Sequence, residues 1–433
     1  MPEREFHVYR TGGREAIMEA VMRTIFHVDV NSAFLSWTAI KQLEDNPGST
    51  DLRTVPSAVG GDVETRHGII TAKSIPAKRY GIQTGEPVVK ALAKCPDLIL
   101  VKSDFVTYRK YSSLMMALLR TYTPYVEQAS IDEAYLDVSG ITASFNGDVP
   151  ALARDIADRI KNDLGFTVNV GISTNKFLAK MASDFSKPDK VHTLYPDEIQ
   201  EKLWPLPIGQ LHGCGSATAK KLQNIGIYTI RDAAGTDLLI LQNILGSKAG
   251  AYIHERANGR DHSEVAYQER EAKSYSNETT TAEDIDKNNY ERLAVPILKE
   301  LSSKVSARLQ KDHVRGATVS VAVKTGNFQR HSRQAALNTS TDSKDELFSQ
   351  AKILMHNLLF GSDGLFRKGE VIRLIGVGIS NLEHGENQQM TLLEWMQLNE
   401  RQTRQKEKND KLDRMLEMVQ KKYGADALKK GNF

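Results

Sequence analysis

Ser130-Ile131-Asp132-Glu133-Ala134-Tyr135-Leu136-Asp137 joins two short apolar runs, 126–131 and 134–138, across two adjacent acids. Short runs of Val, Ile, Leu and Tyr interrupted by charges that do not belong in a core predict two strands meeting at a tight connection. Upstream, Tyr108, Tyr111, Leu114, Met115, Leu118 and Leu119 fall at helical spacing over 105–122, and 25–30 is another apolar run with Asp29 near its end. Downstream, Leu152, Ile156 and Ile160 mark a helix over 151–164, and 166–172 reads as a further strand. With 45–104 set aside as an insertion, the order is β-α-β-β-α-β, the split βαβ or ferredoxin-like arrangement. The expected fold class is therefore α+β and multi-domain.

At 433 residues and about 150 residues per domain, the chain is long enough for roughly three domains. The 57 basic and 54 acidic side chains leave a net charge of +3, too small to indicate a partner by itself. Two cysteines, Cys95 and Cys214, exclude a disulfide framework and a cysteine-based zinc site. No apolar run approaches the ~18 residues of a membrane span, and no secretory leader is evident, so a cytoplasmic protein without membrane contact is expected. Residues 1–24 read as a polar arm, 45–104 as a small lobe, and 204–268 as short helices broken by glycines. Alternation returns over 273–382 as a second α/β domain, followed by a charged tail over 383–433 in which 405–423 is amphipathic.

In the split βαβ order the first and third strands are central neighbours, so Asp29 and the Asp132-Glu133 pair converge on one sheet edge. Clustered carboxylates raise one another's pKa unless a cation neutralises them. Mg²⁺ takes carboxylate oxygens and completes its octahedron with water and substrate phosphates. Two such ions about 4 Å apart can serve both the attacking and the leaving oxygen of a phosphoryl transfer. Turn-capping is the competing role for the same acids. Their apolar flanks, His27-Val28 and Ser130-Ile131, speak against it, because an unpaired charge beside a core is costly. Asp137 reads as an ordinary strand-end acid.

Taken with His27-Val28-Asp29-Val30-Asn31-Ser32-Ala33-Phe34, Pro76-Ala77-Lys78-Arg79-Tyr80-Gly81-Ile82, Val170-Gly171-Ile172-Ser173-Thr174-Asn175-Lys176, Lys187-Pro188 and Gly213-Cys214-Gly215, the opening stretch resembles the Y-family, or translesion, DNA polymerases, in their bacterial DNA polymerase IV-like branch. The resemblance is collinear from about 25 to 382. It implies a palm (25–44 and 105–203), fingers (45–104), a helix-hairpin-helix thumb (204–268) and an α/β little finger (273–382). It also implies that Asp29, Asp132, Glu133 and the Val30 carbonyl hold two Mg²⁺ ions, with Glu133 at the family's active-site glutamate. Phe34 matches the steric gate that excludes a ribose 2′-hydroxyl. Ser32, Ala33, Phe34, Ser74, Lys78 and Lys187 match nucleotide-binding positions, and Ile69 and Thr71 match those over the nascent base pair. Three departures stand out. Ala33 replaces an aromatic, Ile75 replaces a phosphate-binding tyrosine, and Lys78 replaces an arginine, which removes a phenol and a bidentate fork. Lys73 and Ser74 are near enough in sequence to compensate.

The 206–227 segment resembles a helix-hairpin-helix, in which Gly213 and Gly215 let the backbone approach a phosphate and Lys220 and Lys221 add charge. Its local pattern fits a capped helical connector equally well. Residues 304–333 hold Lys304, Arg308, Lys311, Arg315, Lys324, Arg330 and Arg333 against one acid, Asp312. Such a window suits backbone tracking along a duplex, with Lys324, Arg330 and Arg333 as the DNA contacts. Gln389-Met390-Thr391-Leu392-Leu393 resembles a sliding-clamp-binding peptide, its anchors being Gln389, Met390, Leu392 and Leu393. The expected activity is template-directed extension of a primer, by a monomer whose partners are primer-template DNA, deoxynucleoside triphosphates and the clamp. A catalytically weak DNA-binding scaffold and a two-metal nuclease or cyclase on the same palm remain as alternatives.

Overall fold

The computed structural model describes residues 23–61, 68–268 and 271–384. The chain divides into two compact units, 1–271 and 272–433. Most of the N-terminal arm and the tail beyond 384, including the clamp-like peptide, lie outside the described residues.

In the first unit β1 (Ile25–Val30) is buried along its whole length. A left-handed Ser32, φ 49°, turns the chain into α1 (Ala33–Asp45). There follows a three-stranded sheet from β2 (Ser57–Gly60), β3 (Ile70–Lys73) and β4 (Ile99–Val101), in the order β3-β2-β4, with α2 (Ile75–Arg79) and α3 (Val88–Lys94) beside it. Helix α4 (Phe105–Arg120) starts where the Asp104 carboxylate accepts from the Val106 and Thr107 amides, satisfying donors a helix start leaves orphaned. After β5 (Val126–Gln128) and β6 (Glu133–Asp137) come α5 (Val149–Leu164), β7 (Val168–Ser173), α6 (Lys176–Ser183) and β8 (Val191–Thr193). The main sheet runs β5-β6-β1-β7-β8. This is the expected split βαβ order, with a parallel edge strand, β8, added.

The connection at the two acids is longer than the sequence runs imply, four residues (129–132) instead of two. β5 stops at Gln128, and the Ala129 and Ser130 amides both donate to the Glu133 carbonyl, at 3.0 and 3.2 Å. Glu133 is thereby drawn out of the turn into β6, directly opposite Asp29 of β1.

Strand alternation sorts the side chains of β1 by face. Phe26, Val28 and Val30 enter a core built with Met115 and Leu119 of α4 and Ile156 and Ile160 of α5. Each fully buried apolar side chain there contributes about 1.5–3 kcal/mol. His27 and Asp29 point the other way, toward α6. That helix lies so close that a Cβ on Gly171 would stand 2.0 Å from the Ala179 carbonyl oxygen, so only glycine permits the approach.

Four short helices follow: α7 (Ser216–Gln223), α8 (Ile230–Gly235), α9 (Leu238–Leu245) and α10 (Ser247–Ala257). They close around Leu222, Ile230, Leu241 and Ile253, with Phe177 and Leu178 of α6 in the same cluster.

The second unit is built from β9 (Ser274–Ile285), α11 (Tyr290–Lys311), β10 (Val314–Thr325), β11 (Arg330–Thr341), α12 (Lys344–Phe360) and β12 (Ile372–His384). Its antiparallel sheet runs β11-β10-β12-β9. Leu298, Leu301 and Val305 of α11 and Leu347, Ala351 and Met355 of α12 pack on Val319, Val321 and Val323 of β10. The helices thus cover one face of the sheet. Among the described residues no helix is long and apolar enough to cross a membrane.

Candidate active site

A cavity of about 530 Å³ opens at the end of β1, and Asp29, Asp132 and Glu133 all line it. Asp29 and Glu133 face each other in register, and the Val30 amide donates to the Asp132 carbonyl at 3.0 Å. The three acids share one cavity without closing on a point. Among the described residues no three His, Cys, Asp or Glu side chains form a group that could hold a metal. Asp132 turns back to its own loop, accepting from the Ser130 hydroxyl at 2.6 Å. Asp29 and Glu133 are bridged by a cation of the chain itself. Lys180 Nζ donates to Asp29 Oδ2 at 3.1 Å and to Glu133 Oε1 at 2.8 Å, and lies 3.2 Å from Asp184 Oδ2. Lys187 Nζ adds bonds to Asp29 Oδ2 at 3.0 Å and Asp184 Oδ1 at 2.9 Å.

Burial pushes the Asp29 carboxyl up, against the pull of Lys180 and Lys187. Burial acts on Glu133 in the same direction, but His27 and Lys180 beside it outweigh that and hold its carboxyl well below the usual range. For Lys180 burial opposes the charge, and the facing Asp29 and Glu133 overcome it, raising the ammonium above its ordinary value. His27 is fully buried, which lowers its basicity. Its Nδ1 sits 2.8 Å from Ser183 Oγ, a hydroxyl that itself donates to the Lys180 carbonyl. A proton on Nδ1 fits both bonds. Asp29 and Glu133, whose charge two ammonium groups now offset, and Asp132 beside them present hard oxygen donors of the kind a divalent ion such as Mg²⁺ takes.

The cavity also carries further cations and an aromatic ring. Ser32, Ala33, Phe34, Thr71, Lys73, Ser74, Ile75 and Lys78 line the same cavity. Phe34 lies flat on Tyr108, with centroids 4.5 Å apart and planes 13° apart, and meets Phe105 edge-on at 6.1 Å. Thr38 Oγ1 donates to the Phe34 carbonyl at 2.7 Å and contacts the Tyr108 hydroxyl at 3.1 Å. Lys73 Nζ donates to Thr84 Oγ1 at 3.1 Å, and its basicity is lowered by burial and then by neighbouring Lys78. Ser74 is engaged elsewhere. Its hydroxyl donates to the Val55 carbonyl and accepts from the Ser57 and Ala77 amides, so it serves the fold of the small lobe. Ile69 is exposed and bridges Pro87, outside the cavity lining.

Sequence reasoning missed Lys180 and Arg53. Lys180 sits amid Phe177, Leu178, Ala179, Met181 and Ala182, all buried. A lysine in so apolar a helix was a legible sign of a buried ion pair. Arg53 lines the cavity with Nη1 donating to the Gly165 carbonyl at 2.7 Å, and nothing local marks it.

In the helical region Gly213 has φ 87°, and a Cβ there would stand 2.6 Å from the Tyr252 ring. Gly215 caps α7, on which Lys220 and Lys221 are exposed. In the second unit the basic window does not form one surface. Lys304 pairs with Glu300 at 2.6 Å, Arg308 stacks on Tyr275 at 4.7 Å, and Arg330 pairs with Glu278 at 2.8 Å. Lys324 and Arg330 are register partners on the face the helices leave uncovered, whereas Arg333 is partnered by the buried Val321. Period-two alternation puts Arg330 and Arg333 on opposite faces.

Comparison with known proteins matches three stretches to family models: the impB/mucB/samB family over 28–184, its HHH motif over 196–227, and its C-terminal domain over 272–392. The chain is 40% identical over 407 residues to a DNA polymerase IV of Clostridium acetobutylicum, covering 94% of this chain and 97% of that protein. It is 33% identical over 415 residues to DNA polymerase IV 1 of Bacillus subtilis, covering 96% and 94%. Among solved structures it is similar to a Y-family DNA polymerase chimera of Dbh and Dpo4, with a TM-score of 0.71, 26% identity, and coverage of 84% of this chain and 100% of that one.

Proposed function

The chain belongs to the Y family of DNA polymerases, with the bacterial DNA polymerase IV enzymes, and from that premise we propose that Asp29, Asp132 and Glu133 form its catalytic centre. It is a DNA-directed DNA polymerase of the translesion class. One observation carries the assignment: Asp29 and Glu133 meet in register, with Asp132 beside them, in a cavity that Phe34 and several lysines also line.

The three carboxylates and the Val30 carbonyl would hold two Mg²⁺ ions. Bound there, the ions supply positive charge at the attacking 3′-hydroxyl and at the departing pyrophosphate. The remaining work falls to the chain. Lys78, Lys73 and Lys187 set positive charge against the triphosphate, and Lys78 acts as a point charge in place of an arginine fork. Lys180 offsets the carboxylate charge at the back of the site, keeping Glu133 ionised and therefore able to ligate. The Phe34 ring, held flat by Tyr108, stands under the sugar and leaves no room for a 2′-hydroxyl. Thr71 in the cavity lining and Ile69 outside it cover the nascent base pair with small or flexible side chains that leave room for damaged template bases. The helical region and the open face of the second unit grip the duplex backbone. Residues 389–393 tether the enzyme, a cytoplasmic monomer, to the sliding clamp.

Primer extension with Mg²⁺ and all four deoxynucleotides tests this reading. Wild type extends, and Asp132→Ala lowers the rate by about 10³-fold or more while its thermal unfolding is unchanged. Extension surviving in Asp132→Ala, or none by wild type, refutes it.

A further inference from the structure

We propose that the buried amide pair Asn31–Asn169 is a positioning element that fixes Lys187 relative to Asp29 and so sets the affinity for the incoming nucleotide. The proposal rests on the reading of Lys187 as a triphosphate contact.

Lys187 lies on the loop 184–190, between α6 and β8. Asn169 Nδ2 donates to the Ser183 carbonyl at 3.0 Å and to the Ser186 carbonyl at 2.6 Å, gripping the chain just before Lys187. Asn31 Oδ1 accepts the Asp189 amide at 2.9 Å, gripping it just after. Asn31 Nδ2 donates to Asn169 Oδ1 at 3.0 Å, which locks the two grips together. Asn169 Oδ1 also accepts from the Lys190 amide at 3.4 Å, so both donors and both acceptor sites of this amide are used. Thr167 Oγ1 donates to Asn31 Oδ1 at 2.9 Å and orients the second amide.

The placement of the pair argues for more than stabilisation. Asn169 is the register partner of Asp29 across β1 and β7, and Asn31 follows Asp29 by two residues. The loop is therefore referenced to the two backbone segments that also locate the carboxylate. Lys187 Nζ ends 3.0 Å from Asp29 Oδ2 as a result. A buried, fully satisfied network has one arrangement, whereas its loss lets a long lysine stem wander. Displacements of about 1 Å at a reacting centre are costly.

The test is single-nucleotide incorporation by the full chain carrying Asn169→Ala, Lys187→Ala or both, with thermal unfolding followed in parallel. The expected result is a ~10-fold rise in KM for the deoxynucleotide in Asn169→Ala, with kcat within about 2-fold, and no further rise when it is added to Lys187→Ala. Thr167→Val should raise KM less, in the same direction. An unchanged KM in Asn169→Ala, or an equal rise in the Lys187→Ala background, overturns the positioning role alone. An unchanged KM in Lys187→Ala overturns the phosphate contact and this proposal with it. If Asn169→Ala does not unfold cooperatively, Thr167→Val alone and with Lys187→Ala decides by the same criteria.

Discussion

Phe34 owes its orientation to rings it cannot identify from its own neighbourhood in sequence. Tyr108 and Phe105 arrive from α4, some seventy residues later, to stack beneath it and abut its edge. Ala33 is itself buried in the same core, so the gate proposed at Phe34 has no ring beside it at that position. Truncating Phe34 removes the surface proposed to meet the sugar. Phe34→Ala should lower the preference for deoxy- over ribonucleotides by about 10-fold or more, read as the ratio of kcat/KM values. An unchanged ratio would make Phe34 a packing residue only. Lys180 shows the complementary case, a charge placed where composition alone would put an apolar side chain. Its cost of burial is offset by Asp29 and Glu133, and removing one partner of such a set is more damaging than the set is stabilising.

Helix α10 and the strap that follows it are tied to α6 by one carboxylate. Asp261 Oδ2 accepts the Phe177 amide at 3.0 Å, while Oδ1 accepts from the Ser263 amide at 3.0 Å and its hydroxyl at 2.7 Å, and from Arg256 Nη1 at 2.9 Å. Burial works against the charge, but these donors outweigh it and hold the carboxyl below its ordinary value. A folded-state pKa below the unfolded one contributes stability above the unfolded value and loses it as pH falls through the folded one. Asp261→Asn should therefore cost about 2 kcal/mol at pH 7, and its difference from wild type should shrink below about pH 4. Thermal unfolding across that range is the check. A pH-independent difference would mean the donors do not depend on the charge. The β10–β11 pair makes a related point about elements. A run of cations in sequence is divided by the strand period between two faces, and Arg330 is already paired with Glu278.

Across the whole molecule a net charge of +3 says nothing of local fields, so salt dependence is the informative measurement of the proposed DNA contacts. Reversing Lys324 and Arg330 together should reduce the slope of log affinity against log salt by about 0.9 for each phosphate that is no longer neutralised. An unchanged slope would mean the open face of the second unit does not meet the backbone. Much of this architecture was already written in the chain. The palm order was legible because apolar periodicity records which elements bury a face, and the acid-bearing strands had to be neighbours once that order was set. Asp29 and Glu133 are opposite each other for that reason. What periodicity does not carry is long-range pairing of polar groups. The lysine between the acids, the hydroxyl of Ser74 turned inward, and the two amides behind Lys187 depend on segments tens to more than a hundred residues apart. A polar side chain's partner is chosen by three-dimensional proximity and by the cost of leaving it unpaired in the interior, and neither quantity exists until the chain has folded.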